Sequence, residues 1–184
     1  MSPGRLPLYL ALLLLTQCSK CKDDPTPADA AGQLPAPTQT GANTFGCLVN
    51  GQPYVPSGYN GTPNYAVLYD PGFQGGSLDV RTYRYTGKDS NTQQSIIVGG
   101  NSIDRVGSYQ LTSTGQQVAF LFDRNQPSPC DRFAGGTGVY TKGNLTITRL
   151  DVQAGIISGT FAFTLAQPGC DTIKITQGRF DKKL

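Results

Sequence analysis

The 184-residue chain contains no histidine and no glutamate. Without histidine, a Ser-His-Asp triad, a Cys-His pair and a His-ligated metal site are all excluded. Without glutamate, any catalytic carboxylate must come from aspartate, and a good helix former is missing. Glycine, threonine, tyrosine, isoleucine and valine recur at short intervals instead. This composition favours strands over helices.

Long apolar runs are also lacking, because the longest covers only residues 8–15, whereas a membrane-spanning helix needs about 20 residues. Arg5 precedes this run, and Leu15-Thr16-Gln17-Cys18 at its end resembles the lipobox of bacterial lipoproteins. We therefore predict a cleaved signal peptide at 1–17 and a lipid on Cys18 that anchors the chain to a membrane. The alternatives are a soluble-secretion signal cut near Thr16, or lipidation of Cys21.

Residues 18–43 are predicted to form a disordered tether behind the lipidated cysteine. Pro25, Pro27, Pro35 and Pro37 occur in this segment without apolar periodicity. Just behind Cys18, lysine is followed by two aspartates, a pattern that resembles the surface-export signal of Bacteroidota lipoproteins. We therefore expect an outer membrane lipoprotein displayed at the cell surface, or one that faces the periplasm.

Residues 44–184 have the length of one domain, and glycine and proline punctuate most of its apolar segments. About ten short strands without a βαβ rhythm predict an all-β domain, either an antiparallel β-sandwich or a closed β-barrel. The sequence does not choose between these two architectures. The weaker strand predictions are 44–50, 65–69, 77–85, 95–98, 107–112, 117–123 and 138–141.

Alternation is clearest near the C-terminus, where the sequence predicts three successive strands. Ile157, Phe161, Phe163 and Leu165 should share the core face of the second of these strands. The strand before it alternates too, with one face predicted to hold Leu145, Ile147 and Arg149, and 153–155 supplies the turn. In the third strand, we predict a bulge at Gly178 that returns Phe180 to the core.

Three cysteines lie in the β domain, which is predicted to be exported to an oxidising compartment. Cys47 shares a strand face with Phe45 and Val49, as a buried thiol would. Cys130 and Cys170 both lie in proline-containing, turn-like segments. We predict a Cys130–Cys170 disulfide and a free Cys47.

The strongest hint of a binding face is a cluster of tyrosines, because exposed aromatic rings stack on sugars and contact partners. Core packing is the alternative role for these six residues: Tyr54, Tyr59, Tyr65, Tyr69, Tyr83 and Tyr85. Cys130 and Cys170 are too far apart in the sequence to resemble a paired Cys-x-x-Cys zinc site, and the chain has no calcium-loop motif and no basic patch. We therefore expect no metal, no cofactor and no nucleic-acid partner.

Three motifs resemble those of an uncharacterised family of Bacteroidota cell-envelope lipoproteins, which has no established activity. They are Phe45-Gly46-Cys47-Leu48-Val49-Asn50-Gly51, the segment Ser158-Gly159-Thr160-Phe161-Ala162-Phe163, and Ile175-Thr176-Gln177-Gly178-Arg179-Phe180-Asp181. The resemblance implies the β fold and the export route, and it assigns no functional residue.

Three functions remain open from the sequence. The first is a non-catalytic surface or structural module that binds a glycan or an envelope protein, in an oligomeric state that the sequence leaves unknown. The second is a β-barrel carrier of a small apolar ligand, which requires an internal cavity. The third is an Asp-dependent carbohydrate-active enzyme, which requires two carboxylates in one cleft. Its candidates are Asp70, Asp79, Asp123, Asp131, Asp151, Asp171 and Asp181.

Overall fold

A computed structural model describes residues 29–87, 92–135 and 138–184 of the chain. The predicted signal peptide 1–17, the lipidation site Cys18 and the first part of the predicted tether lie outside the described residues. Eleven strands make up the regular structure of the described part. They are β1 Thr44–Val49, β2 Gln52–Tyr54, β3 Tyr65–Asp70, β4 Ser77–Tyr85, β5 Gln93–Gly100, β6 Gly107–Thr112, β7 Gln117–Asp123, β8 Arg132–Phe133, β9 Tyr140–Asp151, β10 Ile156–Ala166 and β11 Ile173–Lys183.

The strands form two antiparallel sheets that pack face to face as a β-sandwich. A six-stranded sheet has the order β2-β1-β11-β10-β9-β6, and a five-stranded sheet has the order β3-β4-β5-β7-β8. The prediction of an all-β domain is confirmed, and the architecture is the sandwich, because the sheets do not close into a barrel. The β-barrel carrier considered from the sequence required a closed barrel, which the two separate sheets do not form.

Alternating apolar residues fill the space between the sheets, as expected for a two-sheet core. The inward side chains of β10 are the predicted ones, and Ile157, Phe161, Phe163 and Leu165 are all at most 3% exposed. Phe45 stacks on Phe161 with ring centroids 5.4 Å apart, which joins β1 to β10 across β11. The strands predicted at 77–85, 107–112 and 117–123 are observed with the same bounds as β4, β6 and β7.

Two bulges decide which side chains face the core. In β11, the pairing slips between Phe161 and Phe163 of β10, so an extra residue is accommodated next to Gly178. Gln177 there adopts a positive φ of 52°, and Phe180 is 2% exposed, which confirms the predicted bulge and its effect.

The second bulge, in β9, corrects a predicted face. Ser158 pairs with Arg149 and Gly159 pairs with Ile147, so one residue of β9 is unmatched. This slip turns Leu150 toward the core cluster, although the sequence alternation placed Arg149 on that face. Arg149 instead donates to the carbonyl of Gln39 on the outer side of the sheet.

Residues 34–42, here called the strap, correct the predicted tether. They were expected to be disordered, but Leu34 is only 7% exposed and a Cβ added at Gly46 would lie 2.7 Å from Pro35. The strap therefore lies against the side of β1 that faces away from the second sheet, and it crosses the neighbouring strands. The proline-rich composition suggested disorder. The strap is ordered because the side chain of Asp181, about 140 positions away in the sequence, accepts hydrogen bonds from its backbone.

The predicted Cys130–Cys170 disulfide is present, with a Cα–Cα distance of 5.5 Å. It links the segment between β7 and β8 to the turn between β10 and β11, and so joins one sheet to the other. Cys47 is a free and buried cysteine, as predicted. Burial raises the pKa of its thiol to about 12, which leaves it protonated at neutral pH.

Candidate functional site

The side of the six-stranded sheet that faces away from the second sheet carries polar side chains. We call this surface the outer face. Because the side chains of a strand alternate between its faces, the partners of Thr160 and Ala162 across the ladder also lie on it. Its residues are Ser108, Gln110 and Thr112 from β6, Tyr140, Lys142, Asn144 and Thr146 from β9, Thr160, Ala162 and Thr164 from β10, and Lys174, Thr176 and Arg179 from β11.

Two open depressions lie on the outer face and share Ala162. The first has a volume of about 400 Å³, and it is lined by Pro37, Asn144, Thr146, Thr160, Phe161, Ala162, Gln177, Gly178 and Arg179. The second has a volume of about 410 Å³, and it is lined by Tyr140, Lys142, Gly143, Ala162, Phe163, Thr164, Ile175 and Thr176. The two depressions together form a continuous, shallow surface that combines polar side chains with apolar area.

Tyr140 marks one end of this surface. Its side chain is 53% exposed and lines the second depression beside Lys142. Tyr140 and Thr146 lie six residues apart on β9, a separation of about 20 Å at the rise of an extended strand. The outer face is therefore long enough for an extended ligand, with an aromatic ring at one end.

Arg179 marks the other end. It pairs with Thr160 of β10 and with Gly46 of β1, and it lines the first depression. Its Nε is buried and has no hydrogen-bond partner among the described residues. A buried guanidinium nitrogen without a partner is costly, because desolvation is not compensated. No carboxylate lines either depression.

Asp181 is the carboxylate that fastens the strap to this side of the sheet. It is 1% exposed and accepts hydrogen bonds from Ser158 Oγ at 2.7 Å and Thr38 Oγ1 at 2.7 Å. The three further donors are the backbone N–H groups of Thr40, Gly41 and Ala42, at 2.9, 2.9 and 3.0 Å.

These bonds decide the charge state of Asp181. Burial alone raises the pKa of a carboxyl group, but the donors at Ala42, Thr38, Ser158 and Gly41 outweigh that effect and hold the pKa of Asp181 well below its usual range. Asp181 is therefore ionised at neutral pH. Four of its five hydrogen-bond donors belong to the strap, which bounds one end of the outer face.

The six predicted tyrosines do not form one exposed face, which corrects the sequence-based interpretation. Tyr54, Tyr65 and Tyr83 are at most 8% exposed and belong to the core or its edge. Tyr83 donates to Thr62 O at 2.5 Å and so holds the loop that follows β2. The remaining three are the half-buried Tyr69 and Tyr85 and the 77% exposed Tyr59.

Several of the candidate aspartates have structural partners. Asp79 forms an ion pair with Arg81, and Asp123 accepts from Gln94 Nε2 at 2.7 Å. Asp151 accepts from Arg149 and from the backbone of Ala154, which lowers its pKa. No group of three or more His, Cys, Asp or Glu that could hold a metal ion occurs within residues 29–87, 92–135 and 138–184.

Sequence reasoning missed Tyr140, Arg179 and the polar outer face. The signal was present in part, because threonines alternate with the apolar residues of β10 and were placed on the second face of that strand. The pairing of Tyr140, Lys142 and Asn144 with those positions depends on a register that the sequence does not give.

No protein-family model, no curated protein and no solved structure matches this chain. In the part that the structure describes, no helix has the length and apolar character needed to cross a membrane.

Proposed function

We propose that this chain is a non-catalytic, lipid-anchored protein of the cell envelope whose β domain binds a saccharide through the outer face. The observation that carries the proposal is the continuous open surface between Tyr140 and Arg179, which offers hydroxyl, amide and aromatic groups on one face of the sheet. The surface display and the outer membrane address of the anchored chain are part of this proposal.

A saccharide fits the chemistry of this surface. Sugar hydroxyls both donate and accept hydrogen bonds, as do the hydroxyls of Thr146 and Thr160 and the amide of Asn144. Threonine is restricted at χ1, so groups held on paired strands lose little entropy when a ligand binds. The exposed ring of Tyr140 adds an apolar platform against which a sugar ring can pack.

Binding without catalysis is supported by what lines the depressions. Most glycoside hydrolases use two carboxylates on either side of the scissile bond. The lining residues of both depressions include no aspartate, and Asp181 beneath the strap is 1% exposed. This arrangement favours a binding module over the Asp-dependent enzyme considered from the sequence.

The binding proposal is tested by applying the full chain, purified in detergent, to an array of saccharides. The hits are then measured by titration calorimetry with two tyrosine variants. Tyr140→Ala should weaken binding by about 10-fold, because it removes the aromatic platform. Tyr59→Ala is the matched control, since Tyr59 is 77% exposed but lines neither depression, and its affinity should equal that of the wild type. An array without hits, or an equal loss in both variants, would contradict the proposal.

Anchoring is tested separately in cells grown with a fatty acid analogue that can be labelled. Incorporation should be lost in Cys18→Ser and kept in Cys21→Ser, because Cys18 has the better lipobox context. Label retained in Cys18→Ser would refute the assignment of the anchor. Digestion of intact cells with a protease should remove the β domain, and complete protection would exclude display at the surface.

A further inference from the structure

We infer that the saccharide bound by the outer face is anionic, and that Arg179 pairs with its carboxylate or sulfate groups. This inference rests on the proposed saccharide binding and deepens it by naming the ligand class. It begins from Arg179, whose buried Nε has no hydrogen-bond partner among the described residues.

Arg179 differs from other arginines of the domain in its surroundings. Arg81 and Arg149 form ion pairs with Asp79 and Asp151. Arg84, which is half-buried as Arg179 is, donates to Pro53 O at 2.5 Å and to Gln94 Oε1 at 2.8 Å. The buried Nε of Arg179 has no such acceptor in the part of the chain described here. Arg179 also lines the first depression, so an oxyanion that enters this depression meets the guanidinium group.

The charges on the outer face point to the same ligand class. Lys142 and Lys174 are exposed, and both pair across the ladder with Thr164, so they lie near each other on this face. The carboxylate of Asp181 is covered by the strap and satisfied by five donors. The open part of the face therefore presents positive charge without a carboxylate to neutralise it, which matches an anionic polymer.

Arginine gives this site a geometric preference as well as a charge. Its planar guanidinium donates two parallel hydrogen bonds to a carboxylate or a sulfate, whereas lysine offers a compact point charge. The hydroxyls of Thr146 and Thr160 line the same depression as Arg179 and can bind the sugar hydroxyls beside the acidic group. The arrangement therefore combines an anion contact with neutral sugar contacts in one depression.

The inference is tested by measuring the affinity of the full chain in detergent for three polysaccharides: polygalacturonate, dextran sulfate and neutral dextran. At least one of the anionic polymers should bind, and more tightly than dextran. Arg179→Gln should weaken anionic binding by about 10- to 100-fold, and Arg179→Lys by less, because it keeps the charge but loses the two parallel bonds. Arg105→Gln is the charge-matched control, since Arg105 is exposed and lines neither depression, and it should bind like the wild type.

Several outcomes would overturn the inference. Equal affinity for neutral and anionic polymers would do so while leaving saccharide binding intact, whereas failure of every saccharide would remove the proposed function itself. An equal loss in Arg179→Gln and Arg105→Gln would show an unspecific charge effect. If Arg179→Gln does not fold, judged by circular dichroism, Arg179→Lys carries the test.

Discussion

Asp181→Asn should release the strap and destabilise the domain. In the native protein, five donors within 3.0 Å converge on this carboxylate, and three of them are backbone N–H groups of the strap. Asparagine has one acceptor oxygen and turns an NH₂ group toward the remaining donors, so at least two donors lose their acceptor. Each buried donor left unsatisfied costs about 1–3 kcal/mol, and the variant should lose about 3–5 kcal/mol of unfolding free energy.

The effect should also depend on pH. Because the pKa of Asp181 is lowered in the folded protein, its ionisation stabilises the fold above the pKa of the unfolded chain. That contribution is complete at neutral pH and is lost progressively as the pH falls below about 4. The stability difference between wild type and Asp181→Asn should therefore shrink in acid.

The assay is urea unfolding of both proteins at pH 7 and at pH 3, combined with hydrogen exchange of the Thr40, Gly41 and Ala42 amides. Asp79→Asn is the control, because Asp79 forms an ion pair at the surface with Arg81, and such pairs contribute about 0–1 kcal/mol. Equal stability of wild type and Asp181→Asn at pH 7, with unchanged exchange at the three amides, would refute this account of the strap.

Three further predictions concern the core and the disulfide. Replacing Cys130 and Cys170 by serine should cost about 4 kcal/mol of unfolding free energy, because the disulfide closes a loop of 40 residues. A loss below about 1 kcal/mol, measured by urea unfolding, would contradict a stabilising role of this disulfide. Gly178→Ala should lower the thermal midpoint, since the new Cβ would lie 2.3 Å from Phe161 Cε2, whereas Gly107→Ala meets nothing closer than 4.0 Å and should leave the midpoint within error. Cys47, whose thiol pKa is raised to about 12 by burial, should resist alkylation at pH 8 in the native protein and react in urea, as followed by peptide mass spectrometry; labelling of native Cys47 would show that the core opens readily.

Local alternation was sufficient to predict much of the fold. The bounds of β4, β6 and β7 follow from short polar and apolar repeats between turn residues, and the predicted bulge beside Gly178 follows from the need to bury Phe180. The short strands β2 and β8 have three and two residues and leave no periodic signal. The outward turn of Arg149 depends on a slip in pairing, which is a property of two strands together.

The candidate site was less predictable, because it is assembled by register and by contacts between distant segments. The tyrosines of the first half of the domain suggested a binding face there, yet Tyr54 and Tyr65 are core residues. The exposed Tyr140 and the half-buried Arg179 lie on different strands, and only the order β11-β10-β9 places them on one surface. The strap was missed for the same reason, since Asp181 holds it from the far end of the sequence.

The most direct test of saccharide binding by the outer face is NMR of threonine methyl groups during titration with a saccharide identified on the array. The resonances of Thr146, Thr160 and Thr164 should shift, because these side chains lie on the outer face. The methyl groups of Thr62 and Thr82, which lie next to Tyr83 and in the core, should stay unchanged. Shifts confined to Thr62 and its neighbours, with the three outer-face threonines unaffected, would contradict saccharide binding by the outer face.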